Sequence, residues 1–386
     1  MDPIIVAGGA MTPFNRRKDG SSWRDWARDA FSGALADANL QHQDIDALVV
    51  ATESDFFGLQ LNPASVLADE LALFGKHAMR VEGGGASGQL AVQAGAMQVL
   101  SGAARRVAVL GVETLASTLP TRDVSMLYGL SFDAWTDGMT GIEPTALYAL
   151  SILAFNARTG ATSRDLATIA VRNRDNARHN ALAHLPLDIT IDDVLSSPMI
   201  AAPYHRLDCS PLSDGAACII LARGGDLPTG GRERARILGM GAANDRVRLG
   251  ERIDAGHFGA KPLAASRASA QAGVALENID IAEVYDSYSG AQLQALQALG
   301  LSQDVVRDER DGRFRVDGGL PVNLSGGLLG QGAPVGATGV AQILSTARQL
   351  EGRYWGRQPS RTPRHGLVDT HGGIATLCAV TILGAP

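Results

Sequence analysis

Two kinds of apolar run alternate along this chain. Short unbroken runs end in glycine or polar residues, and longer ones carry apolar residues at helical spacing. The opening P-I-I-V-A-G-G is of the first kind and predicts a buried strand. Trp23, Trp26, Ala27, Ala30 and Phe31 then share one face of a helix expected over about 22–39, with Ser21 or Ser22 as its cap. D-I-D-A-L-V-V-A-T predicts the next strand, followed by a helix near 62–74. Met79–Val81 leads into a glycine loop, the small-residue stretch Gly88–Gly102 predicts a buried helix, and Arg106–Gly111 another central strand. Unbroken apolar strands alternating with helices imply an α/β fold with a parallel-rich sheet covered on both faces.

The second half repeats this plan. Ala36–Thr52 aligns without a gap on Ala270–Asp286, each giving a helix end, a polar turn, an Ile-Asp pair and a strand. Each copy is followed by a helix, a glycine loop and another small-residue helix. We therefore expect an N-terminal half over 1–228 and a C-terminal half over 229–386, joined through the Gly/Pro-rich stretch 223–232. The segment 115–197 lacks the sheet pattern and forms a cap region within the first half, with helices expected over Pro144–Thr159 and Ser163–Ala183, the latter capped by Thr162 or Ser163. An insertion of this kind covers a site or builds a contact between subunits.

Composition narrows the class. With 386 residues, 45% of them hydrophobic, the chain can bury a core larger than one ordinary domain. A net charge of −6 argues against a nucleic-acid groove. Cys209, Cys218 and Cys378 lie far apart with no CxxC pair, so neither a metal site nor a disulfide framework is expected. No signal peptide and no membrane-length apolar run is evident, and a cytoplasmic location is expected.

Two glycine loops carry the candidate chemistry: V-E-G-G-G-A-S-G at 81–88 and G-Q-G-A-P-V-G-A-T-G at 330–339. Each opens a helix whose first N–H groups can meet an anion or a carbonyl oxygen. Neither is followed by Lys-Ser/Thr, which excludes a P-loop, and neither has the spacing of a dinucleotide fingerprint.

E-P-T-A-L-Y-A-L at 143–150, R-L-D-C-S-P-L-S-D-G-A-A at 206–217, V-Y-D-S-Y-S-G at 284–290 and G-G-L-P-V-N-L-S-G-G-L-L-G-Q-G at 318–332 complete a pattern spanning nearly the whole chain. Together with the glycine loops it resembles the thiolase superfamily in its sterol-carrier-protein-type branch. The resemblance implies a duplicated five-layered α-β-α-β-α fold. It also puts Gly85 where the family has its nucleophilic cysteine, Ala333 where it has the G-H-P histidine, and Ser287 where it has the H-D-C-F cysteine. A ping-pong acyl transfer then lacks its nucleophile.

In these losses the chain is similar to the lipid-transfer-protein aldolases of steroid side-chain degradation, and that likeness implies retro-aldol cleavage of a β-hydroxyacyl-coenzyme A. Such a reaction needs a base on the β-hydroxyl, donors at the enolate oxygen and a proton source for Cα. Tyr285, His371 and Asp286 are the catalytic candidates: Tyr285 as base, His371 as relay, and Asp286 polarising the site or capping a helix near Ser289. On a regular strand, Tyr285 and Ser287 would face opposite to Asp286 and Tyr288. Gly85, Ser87, Tyr288, Asn323, Ser325, Gly332 and Ala333 are the expected substrate-lining residues, and the Arg172–His179 run meets coenzyme A phosphates or forms a solvated helix face. The resemblance implies no covalently bound cofactor and no metal, the coenzyme A thioester being substrate. It further implies a homodimer and a small OB-fold, zinc-ribbon partner protein. The competing readings are a non-catalytic acyl-coenzyme A-binding scaffold and an acyltransferase with a relocated cysteine.

Overall fold

The computed structural model describes residues 3–16, 19–227 and 232–386. Nine strands form one sheet: β1 (Ile4–Met11), β2 (Ala47–Ala51), β3 (His77–Val81), β4 (Arg106–Thr114), β5 (Asp214–Arg223), β6 (Arg236–Asn244), β7 (Ile281–Glu283), β8 (His365–Gly372) and β9 (Leu377–Gly384). Their order is β3-β2-β4-β5-β1-β6-β9-β8-β7. In the first half β1–β5 and β5–β4 are antiparallel, while β4–β2 and β2–β3 are parallel. The second half repeats this: β6–β9 and β9–β8 are antiparallel and β8–β7 is parallel. An isolated parallel bridge from Ala282 to Val322 takes the fifth place. The halves join through a short antiparallel pairing of Ile4 with Ile237 and Ile5 with Arg236.

Helices complete five layers. α1 (Trp23–Ala38) packs on β1, β5 and β4, and α6 (Ala260–Ala272) packs on β6 and β9. Between the two half-sheets lie α2 (Ser87–Ser101) and the wholly buried α8 (Val335–Leu350). Glycine is required where these two cross. A Cβ on Gly88 would come within 2.8 Å of the Gly336 carbonyl oxygen and 2.9 Å of the Gly339 nitrogen.

The internal repeat holds residue by residue. α1 and α6 end at the aligned residues Ala38 and Ala272, and the aligned turns His42–Asp44 and Leu276–Asn278 follow. Ile45 and Ile279 are buried, and Ala47 and Ile281 each open a strand. Ser22 caps α1, its N–H and hydroxyl both donating to Asp25 Oδ2 at 2.8 Å. The cap region holds α3 (Thr121–Tyr128), α4 (Pro144–Thr159) and α5 (Ser163–Ala177), with α7 (Ser289–Ala298) beneath it. α5, capped by Thr162, stops six residues earlier than its sequence pattern suggests. Asn180 turns the chain away, donating to the Ser325 carbonyl at 2.9 Å and accepting the Leu182 N–H at 3.0 Å. The helix expected over 62–74 is likewise shorter, spanning Pro63–Glu70, and Ala72 behind it takes a positive φ. The expected half boundary at 228/229 lies outside the described residues. Among the described residues no helix is long and apolar enough to cross a membrane.

Candidate active site

The site forms where three loop ends meet: Gly83–Ala86 between β3 and α2, Val284–Tyr288 between β7 and α7, and His371–Gly373 at the end of β8. Ser87 braces the first, donating to the Gly84 carbonyl at 2.6 Å and accepting the Gly83 N–H at 2.9 Å. A Cβ on Gly372 would overlap the Gly83 carbonyl, so the first and third loops touch through backbone alone. At Gly85 the packing is tighter: a Cβ would overlap both the Tyr285 hydroxyl and the His371 carbonyl oxygen. The Tyr285 phenol thus fills the space a side chain at position 85 would need, packed with Leu328 and Ala333.

Tyr285 and His371 pack with ring centroids 4.7 Å apart and their planes tilted by 58°. His371 is also held by Tyr148 on α4, whose hydroxyl lies 2.7 Å from His371 Nε2 and 2.7 Å from the Gly373 carbonyl. A carbonyl only accepts, so the phenol proton goes to Gly373 and Nε2 must donate to Tyr148. Nδ1 then carries the lone pair, and it has no hydrogen-bond partner. Burial, together with the Lys261 and Arg252 charges, holds His371 well below the ordinary imidazole range, so the ring is neutral at pH 7. Lys261 reaches both oxygens of Asp369 at 2.5 Å in a fully buried pair two residues before His371. The Tyr285 N–H donates to Asp369 Oδ2 at 3.4 Å.

Burial raises Tyr285 well above the ordinary phenol range, and the Glu53, Tyr148, Asp286 and Glu113 charges add to it. It is a neutral phenol, suited to donating or relaying a proton, and as the base expected from the sequence it needs a neighbouring group to take the proton onward. β7 ends at Glu283, so strand alternation does not govern residues 285–288. Tyr288 joins Tyr148 and Tyr204 at centroid distances of 4.6 and 5.1 Å, with its hydroxyl 2.9 Å from Thr145 Oγ1.

Several expected site residues turn out to hold the loops. Asp286 does not cap α7; it is fully buried, accepting from the Leu328 N–H at 2.6 Å and from Asn173 Nδ2 at 2.7 Å. Burial pushes it up to about 7 against these donors. Ser87, Asn323 and Ser325 are fully buried and bond back into the fold. Asn323 accepts the Val284 N–H at 2.8 Å, and Ser325 donates to Glu283 Oε2 at 2.6 Å. Gly332, at φ 107°, lets the chain pass Ser213, whose hydroxyl accepts the Ala333 N–H at 3.0 Å. The Arg172–His179 run is solvated only at its end, where Arg178 and His179 are exposed, and the rest is tied into the fold. Asn173, Arg174 and Asn176 are buried, Arg172 pairs with Glu309, and Arg357 holds Asp175.

A cleft of about 380 Å³ opens over Gly83–Gly84 and Gly372–Gly373, walled by Phe56 and Leu130. Sequence reasoning missed two carboxyl groups here. Glu113, at the end of β4, accepts the backbone N–H groups of Glu53 at 2.7 Å and Gly336 at 3.1 Å, tying the loop after β2 to the second glycine loop. Glu53 lines the cleft itself. Both directly follow or end apolar strands facing the glycine loops, which was the available signal.

Fold and site together are those of a thiolase-type protein. The "Thiolase, N-terminal domain" family model matches residues 4–225 and the "Thiolase C-terminal domain-like" model matches 241–385. The chain belongs to the thiolase family. It is 34% identical to an acetyl-CoA acetyltransferase of Methanothermobacter thermautotrophicus, over 99% of each chain. It is 28% identical to the 17-hydroxy-3-oxo-4-pregnene-20-carboxyl-CoA lyase of Mycobacterium tuberculosis, over 96% of this chain and 97% of the lyase. The solved structure of an Ltp2-ChsH2(DUF35) aldolase superposes with a TM-score of 0.83 at 26% identity, covering 100% of this chain and 98% of the other.

Proposed function

We propose that this protein is a carbon–carbon lyase that cleaves a β-hydroxyacyl-coenzyme A by a retro-aldol reaction, without an acyl-enzyme. The observation that carries this reading is the Tyr285 phenol standing in the side-chain space of position 85, beside a neutral histidine with a free ring nitrogen. The similarity to a pregnene-carboxyl-CoA lyase and to an aldolase structure points the same way. A steroid or other polycyclic side-chain thioester is the substrate class we favour, with a ketone or aldehyde and a short acyl-coenzyme A as products.

In this reading the β-hydroxyl binds at Tyr285, and its proton passes through the phenol to His371 Nδ1. The Cα–Cβ bond breaks, the oxygen becomes a carbonyl, and the bond pair enters the thioester as an enolate. The positive ends of α2 and α8 lie behind the site and favour that negative charge. A relocated thiol is disfavoured, since burial pushes both Cys209 and Cys378 up to about 12 and Cys218 higher still. Cys378 pairs with His371 across β8–β9 but is fully buried. The aldolase structure is named with a DUF35 component, and we extend such a partner to this chain. A homodimer formed along the sheet edge at β3 is part of the same proposal. Tyr285→Phe tests the chemistry. Cleavage should fall about 10²- to 10⁴-fold with the melting temperature unchanged; wild-type turnover by the variant would refute the assignment.

A further inference from the structure

We propose that Glu53 delivers the proton to Cα of the enolate, an acid role that rests on the lyase reading. The reaction needs this second proton transfer, and His371 already holds the proton taken from the hydroxyl. Two carboxyl groups line the cleft, Glu53 and Glu82. Glu82 is exposed and braces the loop, accepting the Gly84 N–H at 2.7 Å.

Glu53 is built differently. Its N–H is pinned by Glu113, and its carbonyl accepts from Arg80 Nη2 at 3.2 Å. Its side chain is held over the glycine loop, Oε1 lying 3.7 Å from where a Cβ on Gly84 would stand. Oε2 is enclosed with no donor in good geometry among the described residues, and the Tyr128 phenol of α3 is the group that hydrogen-bonds the carboxyl. A carboxyl set in the cleft wall with only a phenol to serve its charge is costly as pure scaffolding and natural for a group that exchanges a proton with a ligand. Among the described residues no cation pairs with it: the Arg80 guanidinium is bonded to Asp55 at 2.6 Å and to main-chain carbonyls.

The groups facing Glu53 are Glu82 from its own loop wall, Tyr128 from α3, Glu113 from β4 and Tyr285 from the loop after β7. Burial first, then the Glu82 charge, push the carboxyl up to about 8, with Tyr128 opposing. Glu53 is therefore protonated at neutral pH and able to act as an acid. The step balances: the Glu53 O–H bond breaks, a Cα–H bond forms, and the carboxylate left behind regains a proton from solvent as His371 loses one.

The reverse of this step is testable with no β-hydroxy substrate. Propionyl-coenzyme A is incubated with the full chain in D₂O, and Cα deuteration is followed by mass spectrometry. Wild type should exchange, faster as pD rises through about 8 and the Glu53 carboxylate forms. Glu53→Gln should lower exchange about 100-fold or more and abolish that rise, and Glu53→Asp should restore part of it. Melting curves establish that each variant is folded. Absence of exchange in wild type, or unchanged exchange in a folded Glu53→Gln, overturns the assignment. Cleavage assayed on the same preparations separates the two claims: exchange that depends on Glu53 without cleavage sinks the lyase reading alone, and cleavage with Glu53-independent exchange sinks the Glu53 role alone.

Discussion

Gly85 shows how one residue constrains the chemistry. Its missing Cβ is occupied by the Tyr285 hydroxyl and the His371 carbonyl, one movable and one fixed in the backbone. Gly85→Cys should therefore fail to bring back thiolysis, and both it and Gly85→Ala should lower stability by about 1–3 kcal/mol in denaturant unfolding. A stable Gly85→Cys variant that consumes free coenzyme A would show the space to be open. The glycine and the tyrosine were both legible in the sequence, but their overlap was not, because they are 200 positions apart and meet only through the fold. The same limit hid Glu53, whose neighbours Tyr128, Glu113 and Tyr285 come from three distant segments.

At the scale of elements, Tyr148 on α4 fixes the imidazole at the end of β8. Tyr148→Phe removes the acceptor for His371 Nε2–H, so the tautomer is no longer imposed. Cleavage should drop about 10-fold or more, and the histidine ¹⁵N resonances should change from one tautomer to a mixture; an unchanged tautomer would remove Tyr148 from the mechanism. A second tie joins α1 to the second half. Asp37 bonds Arg234 at 3.2 Å, Arg353 at 3.0 Å and also Arg348. Asp37→Ala leaves three guanidinium groups around an absent carboxylate and should cost about 3 kcal/mol by chemical denaturation, whereas a loss under 0.5 kcal/mol would mean the cluster is only surface decoration. Helix positions, strands and the gap-free repeat were readable from apolar spacing. The early end of α5 was not, since the bond from Asn180 to the Ser325 carbonyl overrides local helix preference.

For the whole molecule, the unusual feature is a set of carboxyl groups that desolvation raises: half-buried Glu53 to about 8 and buried Asp286 to about 7, with buried Glu113 and Glu283 raised as well. Each binds its proton more tightly folded than unfolded, so the folded chain holds more protons between roughly pH 4.5 and 8. These carboxyl groups favour the folded state most at the acidic end of that window and lose that contribution as pH rises through it, while the lowered imidazoles of His184, His257 and His371 contribute with the opposite sign below about 6.5. Glu53→Gln and Asp286→Asn should each remove a falling component, so the melting temperature of either variant should gain on wild type as pH rises from 5 to 8. A melting-temperature difference between Glu53→Gln or Asp286→Asn and wild type that stays constant from pH 5 to pH 8 would contradict these assignments.

The central claim is a cleavage that uses no thiol and no second coenzyme A. The measurement that tests it most directly is product analysis by mass spectrometry. The chain, alone and with a DUF35-type partner, is given a β-hydroxyacyl-coenzyme A bearing a tertiary alcohol on a steroid ring, with free coenzyme A omitted. The account predicts a ketone and a short acyl-coenzyme A in equal amounts. Cleavage that appears only when free coenzyme A is added, and consumes it, would contradict the account and return the protein to acyl transfer.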